Sequence, residues 1–394
     1  MFALDCATQG YDWGTTDGIR FFRRAAAGDE PLAEVWMGTH PLGPAQAVTA
    51  HGPRPLSEIA GDLPFMMKIL SAARPLSIQV HPQASRAEQG YAEEEAAGVP
   101  LDAPQRVFKD PRPKPEMVYA LSTFDTLVGF RPTAEILRVL SPMSSPVVQS
   151  HAGYLRRNPG FRGIVRTVQR LLDQPPTAEE VAAVVDECRR ALDLGIDVKR
   201  AYATAIEIAE HFPGDVGVLI SLMLNRLTLQ PGEAAYLEAG IIHAHLSGMC
   251  LEVMVSSDNV LRAGLTSKHV QPDELVRCLD KGMSRVARVM PRLFGLSTDV
   301  FSPGQGDFAL SLTQCSPADD PDGVLLPARG DRLLVCTGGE VTLINSAGEK
   351  LLLQRGDVAY AGEGDRDLHL LGTGEVAQAY RPSDEAVGVL TDLV

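Results

Sequence analysis

The sequence lacks the features that mark secreted, membrane-spanning and disulfide-linked proteins. Its 6 cysteines are scattered along 394 residues with no CxxC pair, which favours free, buried thiols in a reducing compartment. No uninterrupted apolar run reaches the roughly 18 residues that a membrane-spanning helix requires. The N-terminal residues have neither the basic start nor the apolar centre of a signal peptide. We therefore expect a soluble, cytoplasmic protein.

Positive charge is also scarce, with 36 Lys and Arg against 50 Asp and Glu and a net charge of −14. This balance repels polyanions, so we expect no nucleic acid and no membrane surface as partners, although a local basic pocket could hold one phosphate. Hydrophobic residues make up 45% of the chain, which allows a core that needs neither a disulfide nor a structural metal. A monomer is compatible with the sequence, which leaves the oligomeric state open.

Three zones of different composition divide the chain. Residues 1–130 are rich in Pro and Gly, and their short apolar runs at 65–70 and 76–80 predict strands joined by turns. The next zone has helical periodicity: Thr177 and Glu180 form a capping-box pattern. Further helices are predicted at 161–172, 198–211 and 272–281. The tail carries five short β runs, at 308–313, 332–336, 341–344, 357–360 and 367–371.

These zones predict a mainly β protein of the sandwich or jelly-roll type with an inserted α-helical domain. We expect a discontinuous first β domain of residues 1–130 and 215–305. Residues 131–214 would form the α-helical insertion, and residues 306–394 a C-terminal β domain.

One internal similarity links the two β domains. Residues 229–246 align without a gap on residues 353–370, with identical Leu, Gln, Gly, Ala, Tyr, His and Leu at a separation of 124 positions. Such a repeated turn-and-strand unit predicts two related barrels. His243 is replaced by Asp367 in the second copy, so a metal bound by the first copy would be lost from the second.

Two short segments of the first zone place polar side chains at alternate positions. Ser77, Gln79 and His81 would share one face of a strand. A single strand histidine is more often a hydrogen-bonded structural residue than a metal ligand. Lys114 and Glu116 would also share a face, although alone they could form an exposed ion pair on a proline-flanked edge strand.

A third and denser cluster starts at His243 and His245, which alternate like the others. It continues through further polar residues in an otherwise apolar context. Together, the three segments could supply two imidazoles, one carboxylate and one amide, a set that completes a four-ligand zinc shell. Glu116 would be the one anionic ligand, so the metal would keep a positive charge and act as a Lewis acid. The candidate ligands are Gln79, His81, Glu116 and His243.

Over nearly its whole length the chain resembles the type I mannose-6-phosphate isomerase family. The resemblance implies a cupin-like (jelly-roll) double barrel with an inserted helical domain, and the same four zinc ligands. It also implies a zinc-dependent interconversion of mannose 6-phosphate and fructose 6-phosphate. The matching stretches are YDWG at 11–14, AEVWMGTHP at 33–41, LSIQVHP at 76–82, KPEM at 114–117, HAHL at 243–246 and SDNVLRAGLT at 257–266.

This reaction needs a base that moves a proton between C2 and C1 through an enediol(ate), and either Asp258 or Lys114 could be that base. Arg262 keeps its proton, so we expect it to stabilise negative charge, with Glu252 orienting it or contacting the sugar. The resemblance suggests Ser77 and Lys268 as phosphate contacts.

Two residues depart from the family pattern. The family usually has Tyr where this chain has His245, and Thr-Pro-Lys where it has Thr266-Ser267-Lys268. An imidazole can replace a phenol as a hydrogen-bond donor to substrate.

Two other functions fit parts of the pattern. Cupin barrels also hold the two-His-one-carboxylate iron sites of oxygenases, but Gln79 would fill a position that oxygen needs. A non-catalytic sugar-phosphate-binding protein would be expected to lose the base or Arg262, and both candidate bases and Arg262 are present. We therefore expect an isomerase.

Overall fold

The computed structural model describes residues 1–279, 287–303 and 306–382. Over these residues the protein is mainly β, and its strands form two antiparallel sheets. The strands are β1 (Phe2–Asp5), β2 (Ala7–Gln9), β3 (Glu34–Met37), β4 (Gln46–Thr49), β5 (Gly52–Pro55), β6 (Phe65–Ala72), β7 (Gln79–Val80), β8 (Glu116–Ala120), β9 (Phe124–Phe130), β10 (Leu224–Leu229), β11 (Ala234–Leu237), β12 (His243–Val255), β13 (Leu261–Arg262), β14 (Ala287–Val289), β15 (Arg292–Phe294), β16 (Thr298–Phe301), β17 (Ala309–Cys315), β18 (Val324–Leu325), β19 (Arg332–Ile344), β20 (Lys350–Gln354), β21 (Val358–Ala361) and β22 (His369–Tyr380).

Most of the helical residues lie between β9 and β10. The helices are α1 (Gly18–Phe22), α2 (Ser57–Ala60), α3 (Ala84–Ala96), α4 (Thr133–Leu140), α5 (Pro146–Arg157), α6 (Phe161–Asp173), α7 (Ala178–Asp193), α8 (Ala201–His211), α9 (Gly217–Ser221) and α10 (Pro272–Cys278). In the described residues, no helix is long and apolar enough to cross a membrane. All six cysteines are buried and unpaired.

The long strand β12 organises the first sheet. Its 13 residues pair antiparallel with β6 on one side and with β8 and β9 on the other. Every residue of β6 is buried, because both faces of this strand are covered. The start of β12 brings His243 into register with Gln79 of β7 and with Val128 of β9. Three distant parts of the chain therefore meet at one end of the first sheet.

The second sheet repeats the strand order of the first. At the separation of 124 positions, β11 (Ala234–Leu237) corresponds to β21 (Val358–Ala361), and the turns before them use Gly232 and Gly356 with φ values of 91° and 89°. β11 pairs with β8 as β21 pairs with β19. β12 pairs with β6 as β22 pairs with β17.

The predicted helices at 161–172 and 198–211 are confirmed as α6 and α8. α8 begins later than predicted because Lys199 and Arg200 take φ values of 50° and 60°, which interrupt a helix. The capping box before α7 is also confirmed, since Glu180 N donates to Thr177 Oγ1 and Thr177 N donates to the Glu180 carboxylate. The helix predicted at 272–281 spans Pro272–Cys278, and the end of that prediction lies outside the described residues.

Four of the predicted β runs differ from the observed strands in their bounds. The runs at 332–336 and 341–344 are one strand, β19. Its pairing with β22 shifts register between Cys336 and Gly338 and then continues, so the strand is not interrupted. The run at 367–371 begins only at His369 and continues to Tyr380. Between 76 and 80, strand pairing is limited to Gln79–Val80: Leu76 N donates to the carbonyl of His245, whereas Ile78 N donates to that of Gly264.

Candidate active site

A cavity of about 1030 Å³ opens beside the first sheet. Its walls come from β3, β6, β8 and β12, from the segment 257–271 and from the end of α8. Two predicted ligands, His81 and His243, lie against Glu116 at the wall. The other predicted site residues all line the cavity: Ser77, Gln79, Lys114, Glu116, His245, Glu252, Asp258, Arg262 and Lys268.

His81, Glu116 and His243 form a buried triad. Nε2 of His81 lies 3.3 Å from Oε1 of Glu116, and Nε2 of His243 lies 3.4 Å from Oε2. All three side chains are at most 2% exposed. Both Nε2 atoms and Oε2 of Glu116 are buried without a hydrogen bond in the described structure. Buried polar atoms are normally paired, so this donor set fits a bound cation.

The second ring nitrogen of each histidine fixes its tautomer. Nδ1 of His81 lies 2.6 Å from the carbonyl oxygen of Asn259, and Nδ1 of His243 lies 2.9 Å from that of Ile241. A carbonyl oxygen can only accept, so each Nδ1 must donate. Each Nε2 then points its lone pair toward Glu116, which is the arrangement that metal-bound histidines adopt.

The protonation states also suit a divalent cation. Burial, followed by the nearby ammonium of Lys114, lowers the pKa of His81 to about 4, so this ring is neutral at pH 7. Burial opposes the ionisation of Glu116, but the charges around it, including the ammonium of Lys114, hold the pKa of that carboxyl well below its usual range. Nζ of Lys114 is 3.1 Å from Oε1 of Glu116. The triad therefore presents a carboxylate beside neutral imidazole.

Gln79 is next to this triad. It is in register with His243 on one side and with Arg262 on the other, and it lines the cavity. Its amide makes no hydrogen bond with another described side chain, so the amide oxygen is available as a fourth donor.

The family model of the phosphomannose isomerase type I catalytic domain matches residues 1–133. The mannose-6-phosphate isomerase of Salmonella typhimurium is 33% identical over 400 residues, which cover 96% of this chain and 99% of that protein. The chain belongs to the type I phosphomannose isomerase family. Human mannose-6-phosphate isomerase is 29% identical over 408 residues, which cover 92% of this chain and 93% of the human protein.

Solved structures of the family agree with the fold. The crystal structure of the Salmonella typhimurium mannose 6-phosphate isomerase bound to fructose 6-phosphate and zinc has a TM-score of 0.86 and 32% identity, and the match covers 97% of this chain and 100% of that chain. A zinc-bound holo mannose 6-phosphate isomerase gives the same score, with coverage of 97% and 99%.

Arg262 and Lys268 form a pair of cations at the cavity of this family member. No carboxylate of the described residues lies within 4.0 Å of either one, and both line the cavity. Burial lowers the pKa of Arg262, and Arg262 itself is the main cause that lowers the pKa of Lys268. Two neighbouring cations without an acid provide a site for an anion.

Prediction from the sequence missed Lys68, which extends from β6 into the cavity. Its Nζ lies 3.8 Å from Glu34 and 3.6 Å from Glu252. Burial opposes its charge, but these two carboxylates raise the pKa of the ammonium above its usual value. The available signal was a single Lys inside the otherwise apolar run at 65–70.

His245 contacts Glu252, the carboxylate that is also paired with Lys68. Its Nε2 lies 3.3 Å from Oε1 of Glu252, and its Nδ1 lies 3.1 Å from the hydroxyl of Thr126. Glu116, His245 and Glu252 also have ligand atoms within 4.8 Å of one another. His245 and Glu252 already contact each other, whereas three ligand atoms of the triad are buried without a partner, so the second group is less suited to a metal than the triad.

His40 is the second residue that the sequence did not single out. It lies within the WMGTHP stretch, and its Nε2 is 3.1 Å from Oδ2 of Asp258. Burial tends to raise the pKa of Asp258, but His40, followed by Lys114, keeps it below its usual value. Asp258 is therefore an ionised carboxylate at neutral pH, with its side chain 40% exposed.

Proposed function

We propose that this protein is a zinc-dependent aldose–ketose isomerase that interconverts mannose 6-phosphate and fructose 6-phosphate. The observation that carries the proposal is the buried His81–Glu116–His243 triad, whose unpaired donor atoms face each other at the wall of a cavity that also holds an unpaired cation pair. The zinc and fructose 6-phosphate bound by the Salmonella typhimurium enzyme support it.

The metal would be held by His81, Glu116 and His243 with Gln79 as the fourth ligand, one ion per chain. Zinc bound there would supply a Lewis acid that stabilises negative charge developing on oxygens of the sugar. The remaining chemistry is performed by residues of the chain. Arg262 provides a permanent cation against the same developing charge, and Ser77 with Lys268 binds the phosphate.

Asp258 is the better candidate for the base. It removes the proton from C2 of the open-chain aldose, the C–H electron pair forms the C1–C2 double bond, and the C1=O π pair moves onto O1 to give the enediol(ate). A proton then passes from the C2 hydroxyl to O1, the C2=O bond forms, and the electron pair of the C1–C2 double bond takes the proton back at C1. Asp258 is ionised and partly exposed to the cavity. Lys114 lies 3.1 Å from Glu116, and a paired ammonium has no lone pair with which to accept a proton. Lys114 instead balances the charge of Glu116.

We further infer that the two sheets are cupin-like (jelly-roll) barrels of common origin, with residues 131–214 as the α-helical insertion between strands of the first. The strands β1, β4, β5, β15 and β16 belong to the second sheet, so that sheet extends beyond the predicted C-terminal domain of residues 306–394. The position that corresponds to Glu116 in the second barrel is Arg332, because Glu116 is in register with Leu237 and Arg332 with Ala361. Arg332 is 1% exposed, and its guanidinium donates to carbonyls of Ala328, Gly330 and Gly362. A permanent cation there excludes a second metal from this position.

A coupled assay with mannose 6-phosphate, before and after removal of metal by a chelator, tests the function. We expect activity that is lost with the metal and restored by zinc. Replacing His81 or His243 by Ala should abolish both zinc binding and activity, whereas His51→Ala, at an exposed position, should change neither. Full activity in either ligand variant would contradict the metal assignment. Iron instead of zinc in the purified protein would favour the oxygenase alternative.

A further inference from the structure

We propose that His40 is a positioning residue that holds the carboxylate of Asp258 in the orientation needed for proton transfer. The inference rests on the proposed function and on Asp258 as its base. His40 does not line the cavity, whereas Asp258 does. His40 would therefore act on the reaction only through the carboxylate that it contacts.

The tautomer of His40 is fixed by its own loop. The backbone N–H of Leu42 donates to Nδ1 of His40 at 3.3 Å, so Nδ1 is the acceptor. In the neutral ring Nε2 then carries the proton, and it donates to Oδ2 of Asp258 at 3.1 Å. One oxygen of Asp258 is thereby engaged, and the other accepts no hydrogen bond from the described residues, while Asp258 lines the cavity.

The His40 ring has little freedom to move. It is 4% exposed, and it packs against the indole of Trp36 with the ring centroids 5.0 Å apart and the planes at 81°. Trp36 is itself held by a hydrogen bond of 2.6 Å from its indole nitrogen to Glu34. A donor fixed in this way can select one rotamer of its acceptor.

The backbone of Asp258 is anchored independently of His40. Its N–H and the hydroxyl of Ser257 each donate to Oδ2 of Asp110 at 3.0 Å. These bonds fix the backbone position of Asp258 but leave the rotamer of its side chain undetermined. Because a side chain that is 40% exposed can rotate into solvent, the bond from His40 determines the direction of the carboxylate.

The test is a mutant cycle on the zinc-loaded enzyme. His40→Ala should lower kcat about 10–100-fold, the range expected when a reacting group is misplaced by up to about 1 Å. KM and zinc content should stay within about 2-fold. His40→Gln should recover most of the lost rate, because its amide nitrogen can donate from a similar position. In an Asp258→Ala background, His40→Ala should change kcat less than about 2-fold.

Several outcomes would overturn the inference. These are an unchanged kcat in His40→Ala, rate losses that multiply in the double variant, or zinc lost in step with rate. His51→Ala provides the matched surface control. Wild-type kcat in Asp258→Ala would overturn the inference and the base assignment together, while the isomerase function would stand.

A readout that does not depend on activity separates this inference from the proposed function. Nitrogen NMR of the histidine rings should show His40 protonated at Nε2 and unprotonated at Nδ1, and the Nε2 signal should shift in Asp258→Ala. If the wild-type protein does not isomerise mannose 6-phosphate, the proposed function fails and the positioning role fails with it. The hydrogen bond itself would then still be observed. A His40 ring protonated at Nδ1 would contradict the bond directly.

Discussion

Nδ1 of His81 donates to the backbone carbonyl of Asn259 across 2.6 Å. This bond connects the metal triad to the segment that carries Asp258. The Asn259 side chain is fully buried and holds the segment in place: its Oδ1 accepts from Lys109 N at 2.7 Å, and its Nδ2 donates to the carbonyls of Asp110 and Arg112 at 2.7 and 2.9 Å. The orientation of a proposed metal ligand thus depends on the side-chain amide of Asn259, which does not line the cavity.

Asn259→Asp should therefore weaken zinc binding about 10–100-fold, the usual effect of losing a residue that orients a ligand. The carboxylate cannot donate to the two carbonyls, so the segment should move away from His81. Competition with a chelating dye measures the zinc affinity. Asn158→Asp, at an exposed helix end, is the matched control. Equal zinc affinity in the Asn259 variant and the wild type would show that His81 needs no support from this segment.

Arg262→Ala should lower kcat and kcat/KM together by about 10²–10³-fold while zinc content stays constant. The reason is that its half-buried guanidinium lines the cavity without a carboxylate partner among the described residues and is not one of the proposed metal ligands. Steady-state kinetics with metal analysis on the same samples checks this. A parallel fall in zinc content and rate would instead give Arg262 a structural role.

Much of the site follows from local sequence patterns. Alternation predicted that His243 with His245, and Gln79 with His81, would share strand faces. In the structure Gln79 and His245 line the cavity, and His81 and His243 lie against Glu116 at its wall. His40 and Lys68 were missed because their partners, Asp258 and Glu252, are far away in the sequence. No local period can report such contacts.

In the fold, too, relationships that depend on pairing between distant strands could not be predicted from local patterns. The repeat of residues 229–246 at 353–370 was visible in the sequence, but the correspondence of Glu116 with Arg332 depends on the register of β8 with β11 and of β19 with β21. The two runs within β19 looked separate because glycines at 338 and 339 interrupt the apolar pattern. Gly339 has a φ of 74°, so the interruption is a local irregularity within a continuous strand.

The helical segment contains a buried ion pair that should make stability depend on pH. Arg131 donates to Glu135 at 2.7 Å, and these side chains are 1% and 4% exposed. Burial opposes the ionisation of Glu135, but Lys199 and Arg131 lower its pKa below 4.5. A carboxyl whose pKa is lower in the folded state adds stability above its unfolded pKa and loses that contribution as the pH falls through the folded pKa.

Glu135→Gln should therefore destabilise the protein by about 3 kcal/mol at pH 7, because Arg131 is left buried without its partner. The difference from wild type should shrink below pH 4.5. Denaturant unfolding at several pH values measures it. The control is Glu210→Gln, on the exposed side of α8, which should have the same free energy of unfolding as the wild type at every pH. Any destabilisation caused by loss of zinc in acid would then be common to the control and the wild type. A difference that is constant with pH would show that charge is not the cause.

His245→Ala should lower kcat while leaving zinc bound. The His245 ring contacts Glu252 at 3.3 Å, whereas the unpaired nitrogen atoms that face Glu116 belong to His81 and His243. Losing His245 leaves Glu252 with Lys68 as its remaining partner at 3.6 Å, which should shift the carboxylate at the cavity wall. His245→Tyr, which restores the residue usual in the family, should keep zinc and much of the rate, since a hydroxyl can donate where the ring did. The competing view makes Glu116, His245 and Glu252 the metal site. It predicts that His245→Tyr loses zinc as completely as His243→Ala, so metal analysis of these two variants decides between them.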